Sequence, residues 1–499
     1  MSIFRECRLL TALTGLLVIL TSFASSVSFG DGEQLGKMDF PNSGSAEAQA
    51  DFMLGLGYLH NFEYKPSAEA FRRAQELDPE FAMAYWGEAM AYYHPLWNQL
   101  ARESARKVLN KLGRTPEARA AKAPTQREKD YLNAIEVLYG NTEDTKRLVK
   151  NDREVLYRDT MRQLHERYPE DQEAHTFYGL SILGVGSHDR EATTYMRAAA
   201  VLTEVWDVNR EHPGAAHYLI HSYDDPVHAP LGLPMARAYS KIAPAAAHAQ
   251  HMTSHIFVAL GMWDDLIDAN ARAVEMTNDW TLEGGGDSVK AGHYSQWLHY
   301  GLLQTGRIED ATVLLGMTKS ALGSGATTSE RTYYGDMAAR QVLDTEAWDS
   351  AAEWIPAEGI ELPSANYHFA MAFAAIKRGE LAEARRHFES ILHNPDGRQS
   401  EDAVRVLRKE FDALMTFTSG NRETGLEQAR EAANMDAGMT FAFGPPAVGK
   451  PSAELLGELL LESGDAENAT KAFRDQLDVT PGRALALAGL ARSVEASGK

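Results

Sequence analysis

The sequence predicts an all-α, right-handed solenoid of stacked helix hairpins. Three observations predict it. Alanine, leucine, glutamate and arginine dominate, and apolar residues recur three and four apart, the spacing of one helix face, while alternating strand patterns are scarce. Gly or Pro returns at intervals suited to short helix–helix turns. A histidine pattern then repeats at the length of one hairpin: His217 and His221 form an i, i+4 pair, and His251 and His255 form a second pair 34 residues later.

Residues 1–30 read as a secretory leader, to be set aside from the fold. Arg5 and Arg8 precede an apolar run from Thr11 to Phe23, and small residues lead to Gly30. The rival reading is a retained membrane anchor, for which this run is short. The expectation is a cleaved leader, a periplasmic or extracellular protein, and no stable membrane insertion afterwards. Cys7, the only cysteine of the 499 residues, lies in that leader. The mature chain would therefore have no disulfide and no thiolate ligand.

Residues 31–168 read as N-terminal hairpins, 169–325 as central histidine-rich units and 326–499 as C-terminal repeats. In the first part Leu54, Gly55, Tyr58, Phe71, Ala74 and Pro79 mark one unit. Near the end Leu456, Gly457, Gly464, Ala469, Phe473 and Pro481 fall at matching spacings, and Gly379, Ala384 and Phe388 reproduce a turn and second helix, with Pro395 one residue early. Small residues let helices approach, the aromatic fills the gap between hairpins, and the proline closes the unit. These stretches resemble the tetratricopeptide signature, which implies a solenoid with a concave binding surface. Residues 98–168 match least, reading as a turn, a helix and then a long helix ending at Pro169. A loop around Gly284 to Gly286 interrupts the period after the histidine-rich units.

Beyond the repeat, four strings resemble a group of bacterial exported tetratricopeptide proteins: FPNSGSAEAQADFMLGLGYLHNFEY, FAMAYWGEAMAYYHPLW, HPGAAHYLIHSYDDP and HMTSHIFVALGMWDD. That resemblance implies architecture and export. It assigns no activity.

A net charge of −21, spread along the chain, argues against nucleic acid as a partner, because phosphate binding requires concentrated Lys and Arg. No P-loop, GxSxG elbow, HExxH or zinc-binding cysteine pair is present. Without cysteine in the mature chain, a thiol nucleophile is excluded.

The chemistry therefore rests on histidine. With the Gly261–Trp263 turn fixing the register, His248, His251 and His255 share one face of a first helix, and His217 and His221 take the same face in the preceding unit. These five are the candidate metal ligands. The sequence expects His217, His221, His251 and His255 to converge on one point of the concave surface, with His248 and His293 at its margin. Asp224, Asp225, Gln296 and Tyr300 are expected in the same groove, with at most one of the two aspartates joining the site. His60, Glu63, Trp86 and His94 form a second patch in the N-terminal units, facing the cluster if the superhelix curls tightly. Neutral imidazoles suit zinc, copper, nickel or iron, and nothing selects among them. The leading reading is an exported binding protein for a divalent transition metal. A metal-dependent enzyme, hydrolytic or oxidative, and a metal-free scaffold for a protein or small-molecule ligand in the groove stay open beside it.

Overall fold

The computed structural model describes residues 34–187, 190–278, 280–281, 285–286, 288–392 and 400–498; the leader with Cys7, Gly284 and Pro395 lie outside them. Among the described residues there are twenty-three α-helices, two short 3-10 segments and two minimal two-stranded ribbons. No helix among them is long and apolar enough to cross a membrane. The described chain is a solenoid of stacked helix hairpins.

Composition decides which helices lie inside. Ala82–Met90, Pro213–Ser222 and Ala247–Ala259 are buried along their entire length, the last two together with their histidines. Tyr64–Leu77 and Ala466–Val479 each bury one stripe and turn charges outward; the first buries Ser67, Ala68, Ala70, Phe71 and Ala74. Inner and outer helices alternate. Each inner helix packs on the outer helix that follows and, in most units, on the next inner helix, as Pro213–Ser222 does on Ala247–Ala259.

The signature residues do the same work at both ends of the chain. A Cβ on Gly55 would sit 2.9 Å from the Phe71 ring, and one on Gly87 only 2.3 Å from it. Near the C-terminus the same sandwich recurs: Gly457 and Gly489 would meet the Phe473 ring at 2.8 and 2.3 Å. Each phenylalanine is fully buried between two successive inner helices. At Gly261 the turn requires a left-handed backbone, φ +67°, where a side chain is strained. The poorly matching stretch contains helices Arg102–Leu112, Pro116–Ala120, Gln126–Leu138 and Lys150–Arg167, the last ending just before Pro169.

The solenoid closes over its own centre. Gln49–His60 packs against Pro213–Ser222, and Lys37 N–H donates to the Glu211 carbonyl at 2.9 Å. From the other end, Trp263 Nε1 donates to the Gly482 carbonyl at 3.0 Å, and Gly444 lies directly against the Trp297 ring. The central units are thus covered from both sides.

Candidate metal centre

Three histidines sit on a helix with no exposed face. Within Ala247–Ala259, His248, His251 and His255 are all buried, and so are His217 and His221 in Pro213–Ser222. A buried imidazole needs partners for both nitrogens. Where those nitrogens go defines the site.

The five histidines and His293 form two groups rather than one. His217, His221 and His248 offer ligand nitrogens within 4.8 Å of one another, and His251, His255 and His293 do likewise. The single point expected from the sequence is therefore corrected to two, with His248 and His293 full members instead of marginal ones. The reason is helical: the i, i+4 pairs are copied 34 residues along, and the third imidazole of each group comes from the first turn of the next inner helix, Ala247–Ala259 or His293–Gln304.

In the first group, His217 Nδ1–H donates to the His60 carbonyl at 2.7 Å, which leaves a lone pair on its Nε2. That Nε2, both nitrogens of His221 and the Nε2 of His248 are buried without a hydrogen-bond partner among the described residues. Each such atom costs about 1–3 kcal/mol. Burial, with neighbouring imidazoles adding to it, pushes the His221 and His248 rings well below the usual histidine range, and burial holds His217 down to about 3. All three are neutral at pH 7, the form that binds a metal.

The second group has its tautomers fixed from behind. Asn270 Nδ2 donates to the Leu266 carbonyl at 2.9 Å, so its Oδ1 accepts from His251 Nδ1–H at 2.7 Å. His255 Nδ1–H donates to Asp224 Oδ2 at 2.5 Å. With both Nδ1 atoms engaged, the two Nε2 atoms face each other at 3.2 Å. Two nitrogens held at ~2.0–2.1 Å by one tetrahedral ion would stand about 3.3 Å apart. Burial and the adjacent imidazoles push His251 well below the usual histidine range. Carboxylate and amide acceptors behind metal-binding imidazoles orient them in the same manner. His293, exposed to solvent, gives this group a route to the outside.

A third cluster looks similar and is chemically different. His60, Glu173 and His212 are fully buried. Glu173 accepts from His60 Nε2 at 2.7 Å and from His212 Nε2 at 3.2 Å. The other nitrogens are used as well: Tyr218 hydroxyl lies 3.1 Å from His60 Nδ1, and Ala215 N–H donates to His212 Nδ1 at 3.2 Å. Burial pushes the Glu173 carboxyl up, but His60 and His212 outweigh it and hold it below the usual range. This is a closed hydrogen-bond clasp.

The remaining candidates fall into place around this frame. Asp224 is the aspartate that faces the histidines; Asp225 instead accepts from the backbone N–H groups of Val227 and His228 and from the His228 ring. Tyr300 is not in a groove: it is buried under Arg340 and bonded to Arg483. Gln296 turns away to Asp336 at 3.3 Å. Trp86 is a core ring packed on Phe40, Tyr131 and Phe177. His94 stacks on Tyr64 at 3.8 Å rather than reaching the cluster, and Glu63 accepts from the His248 backbone N–H, capping that helix. These side chains were placed by helix face alone, and a face shared with the core is indistinguishable in sequence from one shared with a groove.

The concave groove is likewise corrected to a buried chamber. Phe62 covers the first group, 4.3 Å from His217 and within 6.0 Å of His221 and His248, from a left-handed backbone at φ 55°. Holding a phenylalanine there stores strain of order 1 kcal/mol or more. On the other side Phe443 lies 6.3 Å from His221 and 6.1 Å from His255, with the Arg190 guanidinium stacked on its ring. Beyond the 440–446 stretch lies a cavity of about 740 Å³, lined by Val227, Val258, Arg430, Asn434, Phe441 and Lys471 among others. Sequence reasoning missed Asn270, Glu173, His212, Phe62 and Phe443. A polar Asn on the otherwise apolar buried stripe of Trp263–Thr277 was the available signal for the first; the covering rings carry none.

No protein-family model matches the chain, and no curated protein does. Among solved structures it is similar to the APC/C hetero-tetramer Cut9–Hcn1, with a TM-score of 0.36 and 10% identity over 92% of this chain and 78% of that one. Yeast Tom70 gives 0.37 and 12% over 90% and 89%. The human IFIT1 dimer with m7Gppp-AAAA gives 0.36 and 14% over 93% and 92%. None of these likenesses bears on the histidines.

Proposed function

We propose that this chain is an exported repeat protein whose buried central histidines bind a divalent transition metal. One observation carries the reading: the Nε2 atoms of His217 and His248 and both ring nitrogens of His221 are buried together without partners among the described residues. A native fold leaves such atoms unpaired where something outside the chain satisfies them. The candidates are zinc, copper, nickel or iron, ions that neutral imidazole suits. Export is supported by the basic, apolar, then small order of residues 1–30; the N-terminal mass of protein recovered outside the cytoplasm tests it.

A second reading has its own support. Each group supplies three protein ligands, the number typical of catalytic rather than structural zinc, and His293 is solvent-exposed. A metal-dependent hydrolase or oxidase would use the fourth position for water or substrate.

Element analysis of untagged protein from its native source, joined to X-ray absorption at the metal edge, tests the first reading. The expected result is a stoichiometric metal with imidazole nitrogens in its coordination shell. Protein that neither carries nor takes up zinc, copper, nickel or iron contradicts it. Turnover of a broad substrate panel by the loaded protein separates enzyme from binder.

A further inference from the structure

The two triads interlock. His217 and His221 take their third member from the start of the next inner helix, and His251 and His255 take theirs, His293, from the start of the one after. Helix Ala247–Ala259 therefore contributes to both, His248 to one group and His251 and His255 to the other. Across the seam, the His221 and His255 rings stand 5.8 Å apart and the His248 and His251 rings 6.1 Å apart.

The ligand set is neutral. Six imidazoles supply no charge, and among the described residues Asp224 is the one carboxylate hydrogen-bonded to a ring of either triad. It is buried, with Oδ1 unpaired. The Arg190 guanidinium, stacked on Phe443, adds a positive charge to the same chamber. Two divalent ions would bring four more among largely buried side chains, where uncompensated charge is expensive. Three ligands also leave each ion one short of tetrahedral.

We propose that the two triads form one paired metal centre, holding two late first-row ions side by side and completing their coordination with a small anion such as hydroxide. This rests on the metal reading above and goes beyond it in stoichiometry, in the coupling of the ions and in the class of ligand they take.

The test is a copper(II) titration of the untagged, metal-free protein, followed by element analysis and electron paramagnetic resonance, with azide as the anion probe. Two coppers per chain are expected. The first equivalent should give an isolated-ion spectrum. The second should broaden or attenuate that spectrum through spin coupling, so that the integrated signal falls below two spins. Azide should add a charge-transfer band that scales with the doubly loaded form. A His251→Asn/His255→Asn variant should bind one copper with an isolated-ion spectrum. One equivalent in the unmodified protein, or two equivalents giving the plain sum of isolated ions, overturns the pairing and leaves metal binding intact. A loaded pair indifferent to azide overturns the shared anion. No bound copper overturns both the pairing and the metal reading. The unmodified titration decides the matter by itself if the variant does not fold.

Discussion

His60–Glu173–His212 and His217–His221–His248 lie side by side, joined where His217 donates to the His60 carbonyl. Both are buried, and both are built from residues on inner helices or at their starts. They differ in one respect. In the clasp, every ring nitrogen meets a carboxylate, a hydroxyl or a backbone N–H. In the triad, four ring nitrogens meet nothing in the described protein. A buried histidine is thus not in itself a sign of function. Its unspent hydrogen-bonding capacity is.

Acid should expose the difference most strongly. In the unfolded chain these imidazoles titrate near 6.5, whereas in the fold His217 is held down to about 3 and His221, His248 and His251 well below their usual range. The unfolded state binds more protons throughout that window. The metal-free protein should therefore keep constant stability above about pH 6.5 and lose up to about 1.4 kcal/mol per buried histidine per pH unit below it. Urea midpoints at pH 7.5, 6 and 5 check this, and saturating zinc at pH 7.5 should raise the midpoint.

Breaking the clasp comes next in size. Glu173→Ala leaves two buried N–H donors without acceptors, about 1–3 kcal/mol each and roughly 2–6 kcal/mol in sum. Urea unfolding should show that loss, with metal stoichiometry retained in the folded fraction. Removing Asn270, by contrast, frees the His251 tautomer. Asn270→Leu should weaken metal binding at the second triad by about 10–100-fold, measured by competition with a chelator of known affinity. The smallest effect belongs to His221→Leu in metal-free protein. Replacing two unpaired nitrogens with apolar surface of similar size should shift stability by no more than about 1 kcal/mol, in either direction.

Sequence showed the scaffold well because the repeat is written in local spacing. Gly55, Phe71, Gly457 and Phe473 obey a steric rule that needs no knowledge of distant residues. The i, i+4 pairs were legible for the same reason. What was not legible came from sequence separation. Two triads rather than one, the Asp224 and Asn270 acceptors, and the burial of the site by Phe62 and Phe443 all depend on which helix starts or turns meet across the closed solenoid. Tyr300 was misplaced because Arg483, far along the chain, claims it.

The most direct test of the account is zinc binding by untagged, metal-free protein and its His221→Leu variant, compared in chelator-buffered zinc at pH 7.5 under conditions where urea unfolding shows both folded. The account predicts that the unmodified protein binds zinc at both triads and that the variant loses the first equivalent while keeping the second. Equal zinc uptake by the two proteins, or none by either, would contradict it.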